Sequence, residues 1–223
     1  MLLIENMEAI PEQLYACVMG KISMPDLEIF KQKAIELGAA GAEIIETGQL
    51  IIDERVRLKC TVPRCQRAGQ TPNCPPYLPD LDFIRRAFAR YSFALLIKTL
   101  VGPVEQYIPG HATDKSEAGQ AMLFHHKTNN IVYEIEKMAC ASGYYLAMGL
   151  GGGSCKDYLC HGQTCQYIES GNCRFPHRSR PAMEAMGIDV FDIIRKVGWD
   201  APTALDHPDK IPCATSVGLI FIY

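Results

Sequence analysis

Two periods of apolar residues run through this chain, and their order lays out its elements. Ser23-Met-Pro25-Asp26 opens a segment whose Leu27, Phe30, Ala34 and Leu37 share one helical face, with Gly38 as a natural stop. Ala42-Glu-Ile-Ile45 and Leu50-Ile-Ile52 follow, then Arg55-Val-Arg-Leu-Lys59 with apolar residues at alternate positions. That period of two predicts strands leading straight into Cys60. Asp80 predicts the cap of a helix reaching about Tyr91, and Phe93 to Leu100 reads as a buried strand. A long helix is expected from about Asp114 to Ser142, its stripe formed by Thr128, Ile131, Ile135 and Met138. Tyr144 to Met148 reads as a strand, Pro181 starts a short helix, Asp189 caps another through about Val197, and Val217 to Tyr223 closes as a strand.

Helices and strands alternate, which predicts an α/β (or α+β) class: a mixed sheet with helices packed on it. The 223 residues, 48% of them apolar, suffice for one core, so a single domain spanning 1–223 is expected. Two stretches stay outside the periodic pattern, about 60–79 and 149–180. Loops of that length in a compact fold usually carry function.

Charge narrows the function classes. Lys+Arg 22 against Asp+Glu 25 leaves a net charge of −3, without the basic field that draws a chain to nucleic acid. Met1-Leu-Leu-Ile-Glu-Asn-Met-Glu lacks the charged and apolar regions of a secretory leader, and runs such as Phe93-Ala-Leu-Leu-Ile97 fall far short of the roughly 20 residues that cross a bilayer. A cytoplasmic protein without membrane or nucleic-acid partners is expected. In that compartment thiols stay reduced, and grouped cysteines read as ligands or redox groups.

Seven of the ten cysteines are grouped, and they fall in the two long loops. The second loop holds Cys155-x4-Cys160-x4-Cys165-x7-Cys173-Arg-Phe-Pro176. Four thiolates form a complete ligand set for a 4Fe–4S cluster, with Pro176 placed to turn the chain away. Four sulfurs also suit structural zinc, although the C-x2-C knuckle of zinc ribbons is absent. Gly151-Gly-Gly153 lets the backbone approach closely and offers N–H groups to sulfur, whereas nothing after it supports a nucleotide loop.

The first loop holds three cysteines, Cys60-x4-Cys65-x8-Cys74-Pro-Pro. Pro63, Pro72, Pro75, Pro76 and Pro79 stiffen it by fixing φ at five places. A fourth ligand is either absent or drawn from Cys17, Cys140, Cys213, His111, His125 and His126. The distinction decides the chemistry: four thiolates close a cluster and leave it to pass electrons, while an iron lacking a protein ligand can bind substrate as a Lewis acid. Of the other thiols, Cys140 and Cys17 read as core and Cys213 is open. His125 and His126, being adjacent, cannot share a helix face, and His161 and His177 read as exposed loop residues. No G-x-S-x-G, phosphate loop or H-E-x-x-H occurs.

Val56-Arg-Leu-Lys59-Cys60-x4-Cys65-x8-Cys74-Pro-Pro-x-x-Pro79 occurs together with Cys173-Arg-Phe-Pro176-x4-Pro181-Ala-Met-Glu184-Ala-Met-Gly187-Ile-Asp-Val190. The pair resembles the "predicted metal-binding protein" family, domain of unknown function 2284, from about Pro25 to Trp199. Here Ala68-Gly69 stands where members usually have glycine and an aromatic residue. The resemblance implies metal binding, as iron–sulfur, in proteins of anaerobic bacteria and methanogenic archaea, with Cys60, Cys65, Cys74, Cys155, Cys160, Cys165 and Cys173 as ligands. It implies no reaction.

Three functions are therefore expected in competition. The first is electron transfer to a partner enzyme through two 4Fe–4S clusters. The second is an enzyme whose three-cysteine cluster presents an open iron to a small-molecule substrate. The third is a zinc-stabilised binding module.

Overall fold

The structure, a computed structural model, describes residues 24–102, 124–200 and 213–223. At its centre lies a four-stranded sheet in the order β1-β2-β4-β3, with β1 Gly41–Glu46, β2 Phe93–Val101, β3 Met148–Leu150 and β4 Ala214–Phe221. All three pairings are antiparallel, and one parallel bridge, Gly151 to Ala182, stands beside them. Among the described residues seven α-helices surround it: α1 Met24–Glu36, α2 Glu54–Leu58, α3 Leu81–Phe88, α4 His126–Ala141, α5 Cys155–Tyr158, α6 Gln166–Ser170 and α7 Val190–Lys196. The expected α/β class holds.

Both faces of the sheet are covered, which explains why Phe93 to Ile97 reads as an unbroken apolar run. Leu95 and Ile97 of β2 join Ile220 of β4 beneath α1 and α4, packed on Phe30, Ile131 and Ile135. Ala94 and Leu96 join Leu219 and Phe221 on the opposite face, beneath α3 and α7, with Ile84, Phe88 and Ile193. Each such side chain contributes about 1.5–3 kcal/mol through burial. Asp80 caps α3 by accepting from Phe83 N, and Asp189 caps α7 by accepting from Asp192 N, as their positions in the sequence lead one to expect.

Several predicted elements change. Arg55 to Lys59 is not a strand: residues Glu54–Leu58 form α2, because Asp53 takes the cap position, accepts from Arg55 N and grips the Arg55 guanidinium with both oxygens. Five residues with two apolar points cannot separate a period of 2 from one of 3.6, and the cap decides. Of Leu50 to Ile52 only Ile52 pairs, in a single bridge to Ile188. The strand expected from Tyr144 begins at Met148, and the turn after Pro181 is a 3-10 helix, Glu184–Met186. The described part of the long helix begins at His126; its expected start near Asp114 lies outside the described residues.

Candidate metal centre

Helix α4 is the spine on which the second cysteine loop is strung. Glu136, nearly fully buried, accepts from Gly149 N at 3.1 Å and takes the Arg180 guanidinium on both oxygens at 2.5–3.0 Å. The two stems of loop 149–180 thus meet on one carboxylate. Two helical turns earlier, Asn129 donates to Gly152 O at 3.0 Å and accepts from Gly152 N at 3.1 Å. A methyl group on Gly151 would sit 1.6 Å from Asn129 Oδ1, so glycine is required for that close approach.

Within the loop, short helices space the thiols. Cys155 opens α5, whose cap Ser154 accepts from Lys156 N, and Cys165 caps α6, which ends at Gly171 in the left-handed region (φ 77°). Cys155 and Cys165 are buried, Cys160 and Cys173 half-buried. All four line one cavity with Thr71, Pro72 and Phe175, and no carboxylate or imidazole shares its walls. An all-sulfur donor set of this kind selects soft metals.

The first loop leaves α2 through Cys60, whose N–H reaches back to Arg57 O, and Cys65 N closes on Cys60 O at 3.0 Å. Cys60 and Cys74 are half-buried and Cys65 is exposed. Burial pushes the Cys60 thiol pKa up, with Cys65, Cys74 and Glu184 adding to the rise against Arg57. Burial likewise raises Cys74; the Thr71 and Ser154 hydroxyls oppose it, and Cys155 and Cys65 add to it. Cys160 is raised by burial first, with Arg174 opposing. Thiols that hold one another protonated in this way are the ones a bound cation would stabilise as thiolates.

The two loops build one centre. Thr71 and Pro72 of the first loop wall the four-cysteine cavity, and Asn73 bridges across, donating to Ser179 Oγ at 2.7 Å and toward Cys155 Sγ at 3.5 Å. Arg67 pairs with Asp157 at 2.6 Å, and Lys156 donates to Gln70 at 2.8 Å. Further N–H groups point at sulfur: Arg67 N to Cys65 at 3.5 Å and Phe175 N to Cys173 at 3.3 Å. Amide donors of this kind stabilise thiolates and tune a cluster's potential. Thr71 Oγ1 is buried on the cavity wall, directed at the Cys74 thiol. Among the described residues, no three His, Cys, Asp or Glu side chains converge closely enough to hold one metal ion.

Cys60 and Cys65 also line a cleft of about 710 Å3, with α2, the first turn of α7, Gly152, Glu184 and His125 forming the rest of its walls. Glu184 stands exposed at its mouth. His125 is half-buried, and that burial pulls its pKa down to about 4. Among the described alternatives for a fourth ligand to the first group, His125 alone reaches this cleft. His126 turns to Asn130, Cys213 is half-buried before β4, and Cys140 is exposed near the end of α4. Cys140 thereby departs from its expected core position, since the buried stripe of α4 passes through Ile135 and Ala139 instead. Cys17 and His111 lie outside the described residues. His161 and His177 are exposed, as expected. The roles of Asn129 and Glu136 escape sequence reading, although polar residues seven apart beside an apolar stripe were a signal.

A family model described as "Predicted metal-binding protein (DUF2284)" matches residues 43–222, which takes in both loops and the whole sheet apart from the first two residues of β1. No curated protein and no solved structure matches the chain.

Proposed function

Because this chain belongs to the predicted metal-binding family of domain of unknown function 2284, we propose that its metal is iron–sulfur, held as two 4Fe–4S clusters by Cys155, Cys160, Cys165 and Cys173 and by Cys60, Cys65 and Cys74. When bound, such clusters supply one-electron transfer and, at an iron without a protein ligand, Lewis acidity. The observation that carries the proposal is the asymmetry of the two sites around a shared wall. Four thiols close around a small cavity, while two of the other three face the large cleft. The closed site suits electron storage and transfer, and the other suits a small molecule bound in the cleft. N–H groups directed at three of the seven thiols would stabilise the anionic sulfur of a cluster.

The chain's own residues then have definite tasks. Asn73 and the Arg67–Asp157 pair hold the two loops in register. Arg57, donating to Ala185 O and Pro79 O, anchors the stem of the first loop. A second reading, electron transfer to a partner protein without a substrate of its own, is favoured by Leu58, Val62 and Tyr77. These apolar side chains are each more than half exposed around the first loop. No described helix is long and apolar enough to cross a membrane.

The test is the iron, zinc and acid-labile sulfide content of protein purified without oxygen. About eight iron and eight sulfide per chain are expected, since each cubane holds four of each. Zinc without sulfide would overturn the proposal in favour of a structural binding module. A change in the absorption spectrum on adding cyanide or a thiol marks an open site; an unchanged spectrum favours the partner relay.

A further inference from the structure

The segment from Pro181 to Val190 forms half of the second sequence motif, yet no cysteine lies in it. Hydrogen bonds zip it onto the stem of the first cysteine loop. Asp189 N donates to Ile51 O at 2.9 Å, Asp53 N donates to Gly187 O at 2.8 Å, and Ile52 bridges Ile188 between them. Gly187 permits the close approach with φ of +81°, and a methyl group there would fall 2.7 Å from Leu81 Cδ2. Arg57 completes the joint: its Nε donates to Ala185 O at 2.9 Å and its Nη1 to Pro79 O at 2.7 Å. One guanidinium thereby ties together the helix that leads into Cys60, the residue after Glu184, and the exit of the loop that carries Cys74.

That joint singles out Glu184. From Met183 to Ile188 every residue is buried except Glu184, which lines the cleft with Cys60 and Cys65. It stands close enough to Cys60 for its charge to oppose a thiolate there. The other carboxylates of the cleft are engaged: Asp53 caps α2 and grips Arg55, and Asp189 caps α7. His125 has its Nδ1 turned to Ser216 Oγ at 2.8 Å. Glu184 forms no ion pair among the described residues, Lys59 of the same wall included, so its carboxylate is left for what the cleft holds.

We infer that Glu184 is the fourth ligand of the first site, its carboxylate covering the iron that Cys60, Cys65 and Cys74 leave without a thiolate and giving way when a small molecule enters the cleft. The inference rests on the proposed function and deepens it, for it says what occupies the open iron at rest. A carboxylate oxygen is a hard donor, mismatched to a sulfur-bound iron, so it is held less tightly than a fourth thiolate and exchanges more readily. Exposure at the mouth suits that exchange, since the side chain can swing toward water without unpacking the buried residues beside it.

The test uses the full chain, purified without oxygen and labelled with the magnetic carbon isotope at its glutamate carboxyls, as the parent, Glu184→Ala and Glu184→Cys. Dithionite reduces the clusters to a paramagnetic state, and electron–nuclear double resonance then reads which nuclei are bonded to the iron. The parent should show a carboxyl carbon coupling that Glu184→Ala lacks and that cyanide abolishes. Cyanide affinity, read from the absorption spectrum, should rise about tenfold in Glu184→Ala, as when a competent form grows from about a tenth to all of the population. Glu184→Cys, with a thiolate in the carboxylate's place, should stop responding to cyanide. Full iron and sulfide without a carbon coupling in the parent would overturn the inference and leave the clusters standing. Equal cyanide affinity in the parent and Glu184→Ala would do the same, as would a bonded nitrogen, which gives the place to His125. Zinc without sulfide overturns the inference together with the proposed function.

Discussion

His125 ties stability to pH in a direction fixed by its surroundings. Its folded pKa of about 4 lies below the ordinary value of 6.5, so between those limits the unfolded chain binds the extra proton. Its contribution is complete above pH 6.5 and falls away as pH drops toward 4. The loss from this one group is on the order of 2–3 kcal/mol. Chemical denaturation at pH 7 and pH 5 should show a smaller difference in His125→Gln than in the parent, and an equal difference would remove the assignment. Cys173→Ala makes a second expectation at this scale. If its thiol is a ligand, the variant retains at most about four of the eight iron, those of the first site; retention of all eight would take Cys173 out of the ligand set. At the level of single residues the cysteines were legible because their chemistry is rare and their spacing is local. His125 was not, because its partners Ser216 and Gly152 lie far along the chain, and His125-His126 reads as an unremarkable pair.

Among the elements, α4 does more than cover the sheet. Its apolar stripe through Ile131 and Ile135 was readable from period alone, as was the buried β2, but the polar pair Asn129 and Glu136 was not. A polar side chain on a helix is ordinarily solvated, and only the return of loop 149–180 across α4 makes these two structural. Glu136→Ala would leave Arg180 and Gly149 N without their acceptor. A loss of about 2–4 kcal/mol is expected, read as the shift in a denaturation midpoint, because breaking a buried pair strands its partner. A change below about 0.5 kcal/mol would mean that the loop stems hold themselves. The α2 segment teaches the complementary point: local alternation suggested a strand, and one capping aspartate made it a helix. Where an element is five residues long, the cap carries more information than the periodicity.

Taken whole, the molecule is a two-faced sheet that carries its chemistry at one end, where two loops from distant parts of the chain interlock. Class and layering were legible because both sheet faces are apolar. The adjacency of the loops was not, since it depends on contacts such as Asn73 with Ser179 that span more than a hundred residues. That interlock has a consequence for how metal enters. Thr71 to Cys74 belong to the wall of one site and the ligand set of the other, so filling either site fixes a segment that the other needs. On the proposed function, loading is then cooperative: native mass spectrometry during stepwise iron and sulfide addition should show chains with no cluster and chains with two, and few with one. Asn73→Ala, which cuts the strut between the loops, should let the single-cluster species accumulate.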